Sequence, residues 1–480
     1  MERAANTNGS SGHLYEALAN DLARLVSKGT LRPGDRLPSV RQLSDQRGVS
    51  VSTVLQAYLL LENRGIVETR PQSGHYVRAR RLSLVAEPRT PRGATQATRV
   101  SVTELIARVY SASRDPRNVL LGGGFMSPEL LPTESLNRRL AAVARAAGGA
   151  GIAYDPPPGL PALRRAIARR AADYDVALSA DDVVTTVGTM EALHLCLRAV
   201  ARHGDTIVVE SPAYYGVLQL IESLGMRVLE VPSNAGTGVD LARLQEALRQ
   251  HPVRAVLLVP TFSNPLGALM PDDTKRELVR MLARHEVPLI EDDIYGDLGF
   301  DAARPRPAKA FDRHGLVMLC TSFSKTLAPG YRVGWVAPGR WRDAVERLKF
   351  AQTVGTPTLP QMAIADFLEN GGYERHLRRL RRSLADQVGR VSDAVAEHFP
   401  KGTRISRPRG GFLLWVEMPP GKNALDLHDR ALARGVSIAP GPIFSAKQRF
   451  SNCLRLSCAW PWSDRIERAI RTLGELARGN

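Results

Sequence analysis

The chain has 480 residues, of which 44% are hydrophobic and 24% charged, and its formal net charge is +17. That length exceeds one ordinary domain and suggests two to four. No apolar run reaches the ~18 residues needed to cross a bilayer, and the polar stretch Met1 to Gly12 lacks the apolar centre of a signal peptide, so the expectation is a cytoplasmic protein without a membrane partner.

Positive charge is denser at the start: residues 1–100 hold 15 Lys/Arg and 8 Asp/Glu. This suits a polyanionic partner and suits an Arg-rich, solubilising surface equally well. Leu14, Leu18, Leu22 and Leu25 recur at helical spacing and predict a helix over ~13–27. Pro33-Gly34-Asp35 marks a turn, and Ser39 with Gln42 forms a capping box opening a second helix. Gly48 breaks the chain and Ser50 caps a third helix, whose apolar stripe is Val54, Ala57, Tyr58 and Leu61. Gly65 ends it. Ile66–Thr69 and His75–Val77 then read as two short strands around Pro71-Gln72-Ser73-Gly74.

Three short helices followed by a hairpin is the order of a winged helix-turn-helix, whose third helix enters the major groove with its first residues near base edges. Those residues are Val51, Ser52 and Thr53, with Gln56 one turn on, and Arg41 is placed to reach a phosphate. The alternative is a helical bundle used for dimerisation. The run LRPGDRLPSVRQLSDQRGVSVSTVLQAYLLLENRGIVETRPQSGHYV resembles the GntR-type winged helix-turn-helix over its whole length. That resemblance implies that Arg41, Ser50, Thr53 and the wing at Ser73 and Gly74 contact DNA. The family often carries Arg after the capping Ser; here it is Val51, a departure that weakens a base contact or shifts the operator.

The expected division is a DNA-binding domain over 1–78, a linker over 79–117, and a large domain over 118–480 whose small C-terminal subdomain begins near 370. Residues ~79–100, rich in Arg, Pro, Ala and Thr, read as a flexible tether. Its Arg78, Arg80, Arg81, Arg89 and Arg92 are either phosphate contacts or a solvated charge run. Val102 to Tyr110 has helical spacing and opens or braces the next domain.

From Val119 on, helical stretches alternate with apolar runs: Asp182–Thr186, Thr206–Val209, Ala255–Val259, Leu289–Ile290 and Val317–Cys320. This predicts a mostly parallel α/β sheet, in which ligands sit at the carboxyl ends of strands. Gly188-Thr189-Met190 turns into a helix there, an anion site. Tyr214, Asn264, Asp292 and Tyr295 follow other strands, as do Ser322, Ser324, Lys325 and Arg332. The acids Glu291, Asp292 and Asp293 alternate in direction along a strand, which disfavours magnesium. Cys196, Cys320, Cys453 and Cys458 are scattered without a second Cys/His pair, so buried thiols are expected and no metal.

Pyridoxal 5'-phosphate needs an amine for a Schiff base, a carboxylate to hold its pyridine nitrogen protonated, and donors for a dianionic phosphate. A lysine and an aspartate at separate strand ends beside a basic and hydroxyl cluster suit that cofactor. The set resembles fold type I pyridoxal-phosphate enzymes of aminotransferase type over ~118–475, with SFSKTLAPGYRVGW as its strongest segment. The resemblance implies that Lys325 is the catalytic residue, forming the internal aldimine. Asp292 would pair with the pyridinium, Tyr295 and Asn264 with the ring oxygen, and Tyr214 would stack on the ring. Ser322, Ser324, Arg332 and the amides of Gly188, Thr189 and Met190 would hold the phosphate, with Met190 in place of a commoner Gln. YDPPPGLPALR implies that Tyr154 crosses to a partner's cofactor, and NCLRLSCAW implies that Arg455 grips a substrate or effector carboxylate.

The fusion of the two modules resembles the MocR subgroup of GntR-type transcription regulators. This implies a homodimer that binds a double-stranded DNA operator and senses pyridoxal phosphate, an amine or amino acid effector, or both. An active aminotransferase carrying a DNA-binding domain, and a scaffold that keeps the pocket without using it, are the alternatives.

Overall fold

In the computed structural model the chain divides into two compact units, Met1–Leu84 and Val85–Asn480. The structure describes all residues except 1–10, 28–29, 32–33, 64–65, 71–72, 78–84, 112–114, 116, 302, 371 and 480. Pro33, Gly65, Pro71, Gln72, Arg78, Arg80 and Arg81 therefore lie outside the described residues.

The first unit holds helices Ser11–Ser27, Val40–Arg47 and Val51–Asn63, then an antiparallel hairpin of Val67–Arg70 with Gly74–Val77. The Ser39 hydroxyl accepts the Gln42 N–H at 3.2 Å, and Gly48 ends the second helix at φ 62, where a residue with a Cβ is strained. Apolar periodicity supplies the core: Leu18, Leu22, Val54, Ala57, Tyr58 and Leu61 close on Val67 and Val77 of the hairpin. The Tyr58 hydroxyl is satisfied inside, donating to the Pro38 carbonyl at 2.6 Å. Leu14, counted in the first helix's stripe, is instead exposed.

The larger unit is built on one sheet whose strands run in the order Thr98–Arg99, Arg227–Asn234, Thr206–Ser211, Val253–Leu258, Leu289–Asp292, Val317–Ser322, Gly334–Ala337 and Val184–Thr186. The middle pairings are parallel and Gly334–Ala337 is antiparallel to both neighbours. Alternate residues feed opposite faces. Val209, Leu257, Ile290 and Cys320 pack on one side, and Val208, Val256, Leu289 and Val317 on the other. Burial on both faces explains the continuous apolar runs. A four-stranded antiparallel sheet, ordered Arg404–Ile405, Leu413–Glu417, Cys453–Ser457 and Ala439–Pro440, accompanies helices Tyr373–His398, Ala424–Leu432 and Asp464–Arg478 in the C-terminal part. All four cysteines are buried free thiols, and Cys196 and Cys320 meet with sulfurs 3.5 Å apart.

The expected linker over 79–117 needs correction from Val85 onward. Thr98–Arg99 adds to the large sheet's edge. The Ala94 N–H donates to the Glu230 carbonyl at 3.2 Å, and the Ala86 carbonyl accepts from the Ile405 N–H at 3.0 Å. These attachments use backbone groups, which a side-chain pattern does not display. The helix expected from Val102 to Tyr110 forms as Thr103–Ser111, with Val102, Ile106 and Val109 buried in the core of the larger unit. No described helix is long and apolar enough to cross a membrane.

Candidate functional site

Strand ends converge on a cavity of about 200 Å³ whose walls include Thr189, Met190, Tyr214, Asn264, Asp292, Tyr295, Ser322, Ser324, Lys325 and Arg332. Gly188 caps the helix Thr189–Val200 at φ 78, and a Cβ there would collide with the Arg332 guanidinium. Arg332 Nη1 donates to Ser324 Oγ at 3.2 Å. The Thr189 hydroxyl is buried with no partner, although a buried hydroxyl without one is costly. One wall therefore combines a helix N-terminus, a guanidinium and unused or weakly used hydroxyls, which is a donor set for a dianionic phosphate.

Across the cavity, Lys325 Nζ donates to the Gly124 carbonyl at 2.6 Å. Burial lowers its pKa to about 8, and the Arg455 charge adds to that effect. At neutral pH a larger share of this amine is thus in its nucleophilic form. Asp292 is buried, and desolvation raises its pKa to about 7. The Ile294 N–H at 3.3 Å donates to it. A carboxylate held this way gains most from a cationic N–H partner. The three consecutive acids diverge, as the strand geometry requires: Glu291 accepts the Ala308 and Lys309 N–H groups, and Asp293 pairs with Arg304.

Arg455, on strand Cys453–Ser457, is fully buried. Its Nη1 donates to Asn264 Oδ1 at 2.9 Å and its Nη2 to the Gly122 carbonyl at 2.6 Å, while its Nε has no partner. Asn264 in turn faces the Tyr295 hydroxyl at 3.4 Å. Burying a guanidinium on neutral acceptors is unfavourable unless an anion completes it. Tyr154 lies outside this group, 85% exposed, and does not line the cavity.

In the first unit, the Ser50 hydroxyl accepts the Thr53 N–H at 3.2 Å and contacts the hydroxyls of Ser52 and Thr53, each at 2.8 Å. Thr53 is only 7% exposed; its hydroxyl serves the helix cap, which corrects its placement at the base-reading surface. Arg41, Val51, Ser52 and Gln56 are exposed. Gly74, at φ 113, opens the second wing strand, and the Ser73 hydroxyl meets the Tyr76 hydroxyl at 2.7 Å.

Comparison with known proteins matches residues 14–77 to the bacterial regulatory proteins of the gntR family and residues 128–473 to aminotransferase class I and II. The relative named "Uncharacterized HTH-type transcriptional regulator YdcR", from Escherichia coli (strain K12), is 40% identical over 96% of this chain and 98% of its own length. The chain belongs to the gntR-family transcription regulators that carry an aminotransferase domain. A second E. coli K12 relative, named "Uncharacterized HTH-type transcriptional regulator YjiR", is 37% identical to the regulator over 96% of this chain and 98% of its own. Among solved structures, LysN, an alpha-aminoadipate aminotransferase from Thermus thermophilus complexed with N-(5'-phosphopyridoxyl)-L-leucine, shares 31% identity with a TM-score of 0.72. The match covers 79% of the regulator and 99% of the LysN chain.

Some contributors to the regulator's cavity escaped sequence reasoning. Tyr110, Phe125 and Tyr215 line it; the ring centroid of Tyr110 lies 6.1 Å from that of Phe125 and 5.4 Å from that of Tyr215. The run Gly122-Gly123-Gly124 was a usable signal, since its carbonyls hold both Arg455 and Lys325. Tyr110 offered none beyond helical spacing.

Proposed function

We propose that this regulator holds pyridoxal 5'-phosphate in the cavity and changes its operator binding when an amine or amino acid with a carboxylate enters beside it. One observation carries the reading: Lys325, Asp292, Arg332 and the unpartnered Thr189 hydroxyl, drawn from the ends of three strands, line one cavity. When bound, the cofactor supplies an electrophilic aldehyde carbon and an electron-withdrawing ring. The residues supply the rest. The amides of Gly188, Thr189 and Met190, with Ser322, Ser324 and Arg332, would donate to the phosphate. Asp292 would hold the ring-nitrogen proton, Tyr295 and Asn264 would donate to the ring oxygen, Tyr214 would cover the ring, and Lys325 would present its amine. Arg455, whose guanidinium donates to the cavity-lining Asn264, would hold a ligand carboxylate.

Tyr110 connects this site to the rest of the chain. It sits on the helix that follows the attached segment 85–102, so a ligand that moves Tyr110 acts on the element leading back to the DNA-binding unit. The regulator then works where DNA is, in the cytoplasm, as a homodimer on paired half-sites, with Tyr154 reaching the partner's cavity. Ligand and DNA are coupled only through a difference in ligand affinity between two arrangements.

The complete residue set also favours a second reading, turnover as an aminotransferase. Two measurements decide. Borohydride reduction followed by peptide mass spectrometry is expected to place the phosphopyridoxyl mass on Lys325. Electrophoretic mobility of operator DNA is expected to shift with an amino acid from a panel. A labelled Lys325 with DNA affinity unmoved by every amine, and steady conversion of an amino donor with a 2-oxo acid, supports the enzyme instead.

A further inference from the structure

We propose that the regulator recognises its half-sites through thymine methyl groups, with Val51 and Leu55 of the helix Val51–Asn63 as the reading side chains. The inference rests on the reading that this unit binds duplex DNA, and it names the chemistry of the contact.

At ~100° per residue, a helix that buries Thr53, Val54, Ala57, Tyr58 and Leu61 turns Val51, Ser52, Leu55, Gln56 and Leu59 to the opposite side. That side is the one free to enter a groove. It is unusually apolar for solvent: Val51 is 46%, Leu55 45% and Leu59 55% exposed. From Gly48 through Asn63 the sequence contains no Lys or Arg. The commonest specific contact, Arg or Lys to the guanine O6 and N7 pair, is therefore unavailable to this helix. The major-groove edge carries one apolar group, the thymine C5-methyl, and an exposed valine or leucine gains by covering it.

The positions agree with this partner. The Ser50 cap fixes Val51 in the first turn, the part of a recognition helix nearest the bases. Leu55 lies about 6 Å further along the axis, roughly two base-pair steps at ~3.4 Å each. Gln56, beside Leu55, suits the adenine N6 and N7 edge, again part of an A·T pair. Phosphate attraction comes from elsewhere, from exposed Arg41 and Arg47 on the preceding helix. Over residues 1–84 the 12 Lys/Arg against 7 Asp/Glu suit a polyanion as the occupant.

The test uses the full-length protein to enrich duplexes from a random library, then replaces each half-site thymine singly with deoxyuridine, which lacks only the methyl. The expected half-site contains A·T pairs, and uracil at two positions about two base pairs apart weakens binding about threefold to tenfold each. Val51→Ala and Leu55→Ala, both at surface positions, should each erase the thymine–uracil difference at one of those positions. Duplexes that are retained but tolerate uracil throughout, or half-sites anchored by invariant guanines, overturn the inference while leaving DNA binding intact. Retention of no duplex at all removes the DNA reading itself. If Leu55→Ala keeps the thymine–uracil difference yet dissociates copies of the chain in sedimentation, the stripe is a protein contact and the proposal is wrong.

Discussion

The two units organise function in opposite ways. In the DNA-binding unit the proposed contact residues fall within residues 41–74, and Arg41, Val51, Ser52 and Gln56 stand exposed on short helices. In the larger unit the groups that meet come from positions as far apart as Tyr110 and Arg332, with Arg455 behind them, and Asp292 and Lys325 titrate far from their ordinary ranges because burial desolvates them. In a surface code, contact residues far enough apart to share no partner act nearly additively. A cavity whose charges share one space is coupled, and each group's protonation depends on its neighbours and on what fills the space.

That contrast can be broken or sharpened by experiment. The largest expected effect is in the cavity: Lys325→Ala should abolish the borohydride-trapped phosphopyridoxyl mass completely while DNA affinity measured without cofactor stays unchanged. A trapped mass on another lysine would end the assignment. Next, Leu61→Ala empties a fully buried position in the small unit's core and should cost about 2–5 kcal/mol. Calorimetry should show an early transition for that unit alone, with Lys325 labelling intact; joint loss would show that the units do not fold separately.

Third, Asp292→Asn should weaken cofactor binding by about 10- to 100-fold, the cost of one charge-assisted hydrogen bond. It also carries a pH signature. Asp292 has a folded pKa of about 7 against an ordinary value of 3.8, so the folded state holds a proton that the unfolded state lacks between these values. Its contribution to stability is therefore lost as pH rises from about 4 to about 7. Thermal melts of the cofactor-free variant should show a shallower decline over that window than the parent, and an identical slope would contradict the burial of Asp292. Smallest, Ser50→Ala should remove about 1 kcal/mol from the small unit by deleting its helix cap, read as a lower denaturant midpoint with no change in cofactor labelling.

Local signals carried much of the molecule. Period-3.6 apolar spacing located the first and third N-terminal helices, a capping box located the second, and apolar runs located the strands at Thr206–Ser211, Val253–Leu258, Leu289–Asp292 and Val317–Ser322. Short polar motifs at their ends named most of the cavity's wall. Other strands stayed hidden for physical reasons. Arg227–Asn234 contains Pro232 and the buried Glu230, whose carboxylate accepts from Ser445 at 3.1 Å; neither residue advertises a strand. Thr98–Arg99 joins the sheet by backbone pairing, which any composition permits.

By itself, then, the sequence determined what short-range physics controls: where helices start and stop, which faces are apolar, and which polar groups sit at strand ends. Tertiary structure alone decided that Tyr110 reaches the cavity from the start of the larger unit, and that Arg455 is buried on Asn264 and a glycine carbonyl. Those outcomes depend on which distant surfaces exclude water together, and desolvation is a property of the assembled fold that no stretch of neighbouring residues encodes.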